Sequence, residues 1–117
     1  MPRSTAAYVA DIIDACDAVA EVLAGADLET YRARRSIRSS VEREFTIIGE
    51  AIGALSRRDP ALAARISHAR LIVGFRNRLV HEYPQIDDEA VYAIAQHDAP
   101  VLRAECSALQ AEVGDAD

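Results

Sequence analysis

Apolar side chains recur at intervals of three and four along almost the whole chain, and no segment alternates with period two. Such spacing commits each segment to an α-helix that buries one stripe, and it rules out a sheet as the organising element. One stripe is Val9, Ile12, Cys16, Val19 and Leu23, on a helix expected from Thr5 to Ala24 with Gly25 as its stop. Asp27 can cap a short helix through Leu28 and Tyr31. Ser36 is then expected to cap a long helix carrying Ile37, Val41, Phe45, Ile48, Ile52 and Leu55, with Arg57 and Arg58 at its C-terminal end, where the helix dipole favours cations.

Asp59-Pro60 reads as N-cap and first residue of a short connector helix. The next helix is expected from Ser67 to Glu82 with Leu71, Ile72, Phe75 and Leu79 inward, ending before Pro84. Asp87 caps the last helix, with Ile86 and Val91 placed as a hydrophobic staple. Its stripe is Val91, Ile94, Val101, Leu102, Cys106, Leu109 and Val113, and Pro100 inside the stripe should kink it. The expectation is an all-α, up-and-down bundle with four main helices and one or two short ones, in one domain over residues 1–117. Half the residues are hydrophobic but only 5% are aromatic, which suits helices packed closely on small side chains.

The net charge of −6 conceals a strong asymmetry. Residues 32–78 carry eleven Arg against four acids, while the remainder carries two Arg against fifteen acids. Every basic residue is Arg, whose planar fork fits phosphate better than an ammonium does, although genomic base composition can also produce an all-Arg chain. Any nucleic-acid contact of a net acidic protein is expected to be local and salt-sensitive. Arg38, Arg70 and Arg78 are candidate RNA contacts. No apolar run approaches a membrane span, and Asp11, Asp14 and Asp17 in the first helix argue against a signal peptide. Cys16 and Cys106, each in an apolar stripe, are expected as buried reduced thiols in a cytoplasmic protein.

The chemistry concentrates in Arg76-Asn77-Arg78-Leu79-Val80-His81-Glu82-Tyr83. A poised imidazole at His81 could take a proton from a ribose 2′-OH or give one to the leaving 5′-oxygen. Arg76 could stabilise charge on a phosphorane-like transition state, and Asn77 could orient the phosphate or the imidazole. No metal is needed for that chemistry, and His68, His81 and His97 show no ligand spacing with one another or with the cysteines. Arg70, Gly74, Asn77 and His81 share one helix face, whereas Arg76 lies about 140° from His81 on an ideal helix. Arg76 and His81 then converge through Arg's reach, a frayed helix end, or a second subunit. Glu50 is a possible core-facing acid that pairs with an Arg of the motif helix, as an ion pair or as part of a site.

The run Ile72 to Tyr83 closely resembles the signature of HEPN-domain proteins, specifically the HepT-like toxins: Arg, a polar residue, then His-x-Tyr. Ile47-Ile48-Gly49-Glu50-Ala51 resembles the long-helix segment of the same family. Ile86-Asp87 and Pro100 also fall where similar chains have them, so the resemblance spans roughly Tyr8 to Leu109. It implies a metal-independent endoribonuclease toxin that needs no cofactor and acts as a homodimer on tRNA or mRNA. A minimal nucleotidyltransferase antitoxin would silence it by transferring AMP to the motif tyrosine. On this resemblance Arg76 and His81 are catalytic, Asn77 assists, and Tyr83 is the AMP acceptor. Glu82 departs from the Gly that many relatives carry between His and Tyr, adding negative charge near the scissile phosphate. A different reading is a non-catalytic helical module that docks a nucleotidyltransferase or binds a nucleotide.

Overall fold

The computed structural model describes residues 3–81 and 86–113, all of whose regular structure is helical. Glu82, Tyr83 and Pro84 lie outside the described residues. Helix α1 spans Thr5–Leu23 and begins where the Ser4 hydroxyl accepts the Ala7 amide, 3.0 Å away. Its whole expected stripe is buried, and Gly25, at φ +76°, turns the chain out of the helix in a left-handed conformation that favours glycine. Helix α2 (Leu28–Ala33) is capped by Asp27, and α4 (Pro60–Ala63) by Asp59.

The long helix α3 spans Arg35–Arg58, about 36 Å at 1.5 Å per residue. It is not capped by Ser36. Arg34 alone separates α2 from α3, serving as C-cap of one and N-cap of the other, so the helix has already begun when Ser36 is reached. No side chain caps that end; instead the Arg38 guanidinium donates to the Arg32 carbonyl across the junction.

Helix α5 spans Ala69–His81. It starts later than expected because the Ser67 amide and hydroxyl donate to the Glu105 carboxylate, which ties this turn to the last helix. Ile72, Phe75 and Leu79 are buried, but Leu71 is 49% exposed. Helix α5 packs chiefly against α3, so only a narrow stripe is covered, and Leu71 is about 100° from Ile72. Phe45 and Phe75 meet edge to face across that seam, with centroids 5.3 Å apart.

Asp87 caps α6 (Asp88–Ala93) by accepting the Glu89 and Ala90 amides. The rod then passes through a π-helical turn, Ile94–Asp98, into α7 (Ala99–Val113). Pro100 therefore acts through a wider turn: it has no N–H for the carbonyl four residues back, and its ring crowds that carbonyl. The turn advances the buried stripe in steps of four, Val91, Ala95, Ala99, before Leu102, Cys106 and Leu109. Val101, expected inward, is left 46% exposed. Counting α6 to α7 as one rod, the described residues form four main helices and two short ones.

Helices α1 and α3 form the centre, with α5 on the outer side of α3 and α7 on the outer side of α1. No helix among the described residues is long and apolar enough to cross a membrane. Cys16 on α1 and Cys106 on α7 are free and buried. Burial above all pushes both thiols up to about 12, Cys16 further through its proximity to Cys106. At neutral pH neither should react with a thiol dye until the chain is denatured, when both should label. Rapid labelling of either in the folded protein would show that the α1–α7 seam opens.

Candidate active site

The site begins with a backbone approach on α3. A Cβ added at Gly49 would collide with Arg76 Cβ and lie 2.6 Å from its Cγ, so the two helices meet only because position 49 has no side chain. Arg76 is thereby pressed into the α3–α5 seam, with its side chain 24% exposed. One end of its fork donates to Glu50 Oε1 at 2.8 Å, and Nη1 donates to Asn77 Oδ1 at 3.1 Å. The Glu50 side chain is 59% exposed at the groove wall, rather than core-facing as expected, so this pair contributes at most about 1 kcal/mol to stability. Its effect is on direction, since a guanidinium held by two partners has few rotamers left.

Arg76 Nε is buried and has no hydrogen-bond partner among the described residues. An orphaned buried donor of this kind typically costs about 1–3 kcal/mol. The cost is tolerated at a position that the fold itself does not require to be polar.

Asn77, beside Arg76, is exposed. His81 is the last residue of α5, exposed, and joined to nothing by a hydrogen bond or ion pair among the described residues. The structure thus joins Glu50, Arg76 and Asn77 by hydrogen bonds; His81 makes no bond to them among the described residues, although it lies one turn beyond Asn77 on the same face of α5. Tyr83 lies outside the described residues. Arg78 is exposed without a partner among the described residues, whereas Arg38 is held at the α2–α3 junction, toward the opposite end of α3 from Arg57.

Around Arg76 runs a groove of about 550 Å³ lined by Tyr8 of α1, by Gly49, Glu50, Gly53, Ala54 and Arg57 of α3, and by Val73, Arg76 and Asn77 of α5. It continues into a trough of about 460 Å³ that shares Gly53, Arg57, Val73 and Asn77 and adds Ser56, Ala69, Arg70 and Gly74. Gly74 leaves this face open, since even an added Cβ there would meet nothing within 4 Å. Gly49, Gly53, Tyr8 and Arg57 were not singled out as site residues by the motif. The signal that marks two of them is the spacing of Gly49 and Gly53, one helical turn apart on one face of α3. No group of three or more His, Cys, Asp or Glu that could hold a metal occurs among the described residues.

The chain is similar to three proteins of Methanocaldococcus jannaschii, each named "Putative RNase". MJ1380 is 28% identical over 88% of this chain and 94% of its own length. MJ0125 and MJ1216 are 25% and 24% identical over 88% of this chain, covering 88% and 84% of theirs. No solved structure matches the chain significantly. The family model described as "Ribonuclease HepT-like" matches residues 12–109, which takes in the Arg76–His81 motif and the Gly49–Glu50 segment against which it packs; the chain belongs to the HepT-like ribonuclease family.

Proposed function

We propose that the protein is an endoribonuclease that cuts RNA by attack of the ribose 2′-oxygen on the adjacent phosphorus. In this reaction the 2′-OH loses its proton to a base as the new O–P bond forms. The 5′-oxygen leaves with a proton from an acid, giving a 2′,3′-cyclic phosphate and a 5′-hydroxyl. His81 moves one of these protons. Arg76 stabilises the charge that gathers on the non-bridging oxygens, and Asn77 orients the phosphate. Protons and hydrogen-bond donors suffice for each of these steps, so we propose that no metal takes part. The observation that carries the reading is the fixed Glu50–Arg76–Asn77 chain at the wall of an open groove.

We infer a homodimer, which the same geometry supports. Arg76 faces α3 while His81 stands exposed at the end of α5, so a second copy's motif would complete the set. The further reading, as a toxin silenced by a nucleotidyltransferase that transfers AMP to Tyr83, rests on family membership and the position of that tyrosine. It gives the tyrosine a role two residues from the proposed acid–base group. RNA cleaved by a toxin of this kind is expected to be tRNA or mRNA.

The test is cleavage of a tRNA pool in EDTA by purified protein whose mass shows an unmodified Tyr83. Wild type should cut, and His81→Ala should lose about 10²–10⁴-fold in rate with an unchanged unfolding curve. Equal cutting by both would remove His81 from the mechanism. If neither cuts, the second reading gains: a non-catalytic partner of a nucleotidyltransferase, favoured by an imidazole that nothing in its own chain orients among the described residues.

A further inference from the structure

We propose that the trough beside Arg76 is a second phosphate subsite, in which Arg57 and Arg70 hold the backbone of single-stranded RNA next to the scissile phosphate. The inference rests on the ribonuclease reading above and names a part of the substrate that the motif does not touch.

The lining carries two guanidiniums, one amide and one hydroxyl, and no carboxylate among the described residues. Among the other arginines, Arg103 pairs with Asp17, Arg65 with Glu112, Arg32 with Glu89 and Arg76 with Glu50, while Arg34, Arg35, Arg43 and Arg78 have no such partner among the described residues but line neither cavity. Arg57 and Arg70 have neither hydrogen bond nor ion pair among the described residues. Arg70 is the second residue of α5, in the turn where the helix dipole disfavours a cation, so helix stability gives no reason for it. Arg57 folds back over the trough floor, its Nη1 lying 3.5 Å from where a Gly53 Cβ would be.

Access is equally open. Gly53 and Gly74 present backbone from both walls, and the space over Gly74 is empty for at least 4 Å. Arg70 precedes Arg76 by six residues, about 9 Å along α5 and about 120° around it, so Arg70 serves the trough and Arg76 the groove that adjoins it. The two cavities share Gly53, Arg57, Val73 and Asn77, so a strand leaving Arg76 enters the trough directly. A second copy seated face to face in the trough would bring four guanidiniums together with no acid to balance them. Phosphodiester chemistry is the better match.

The experiment titrates a fluorescein-labelled single-stranded RNA of mixed sequence with full-length protein carrying His81→Ala, at several salt concentrations. Adding R57A and R70A together should weaken binding at every salt concentration. It should also flatten the slope of log affinity against log salt by about 1.4, roughly 0.7 for each phosphate that a single strand no longer has neutralised. Gly74→Leu, which fills the trough without removing charge, should weaken binding with the slope kept. An unchanged slope in the double variant overturns the subsite while leaving cleavage by the wild type as separate support for the ribonuclease reading. So does a change in sedimentation of either variant with RNA affinity unaltered, which would give the trough to a second copy of the chain. Absence of RNA binding by the His81→Ala parent overturns the subsite as well.

Discussion

Arg76→Ala should reduce cleavage at saturating RNA by about 10²–10³-fold, the range typical of removing one fixed donor from a developing oxyanion. The fold should survive. Glu50, the partner left behind, is more than half exposed and can be rehydrated, so no buried charge is stranded. The orphaned Nε disappears with the side chain, which offsets part of the packing that the Arg stem supplied. Arg76→Lys restores the charge and most of the stem without the planar fork, and it should recover only a small part of the rate. Measured kcat together with thermal unfolding decides the matter: a variant that keeps its rate within about threefold places phosphate stabilisation elsewhere.

Gly49→Ala should damage both stability and activity. On an exposed helix this change would gain roughly 0.5–1 kcal/mol from lower backbone entropy. Here the new methyl would overlap Arg76 Cβ and Cγ, atoms next to the α5 backbone that cannot swing aside as a chain terminus could. Relief requires moving α5 off α3, across the seam that holds Phe45 against Phe75. Overpacking of this kind costs about 1–3 kcal/mol, so the collision outweighs the propensity gain. Activity should fall with it, because the displaced helix carries Arg76 away from Glu50. Gly74→Ala is the matched control: its methyl meets open space, and unfolding should show a small gain in stability. If Gly49→Ala also raises stability, the close approach of the helices is not what fixes Arg76.

The contrast between these two glycines shows what could be read from residue order. Gly74 stood out because it interrupts a polar face on a single helix, and local periodicity is enough to see that. The role of Gly49 depends on which residue of another helix lies above it, which spacing along one chain does not encode. The caps at Asp27, Asp59 and Asp87 were legible for the local reason, since each aspartate bonds amides two or three residues ahead. Ser36 has the right chemistry but sits two residues past the cap position, Arg34, because a one-residue junction between α2 and α3 leaves no room for a cap outside the helix. Leu71 and Val101 failed as core positions for related reasons: the first is on a helix with essentially one neighbour, the second follows a π turn that shifts the stripe. Of the motif itself, the pairing of Arg76 with Glu50 was foreseeable as one option, and the orphaned Nε was not.

Helix α5 buries Ile72, Phe75 and Leu79 among its thirteen residues, whereas α1 buries eight of nineteen. The free energy needed to lift a segment locally follows the apolar surface that lifting exposes. Of these two helices, α5, which bears the Arg76–His81 motif, is therefore the one that the core retains more weakly. On the proposed mechanism, cleavage should then follow a local opening equilibrium of α5, to be lost or regained without the remaining three helices coming apart.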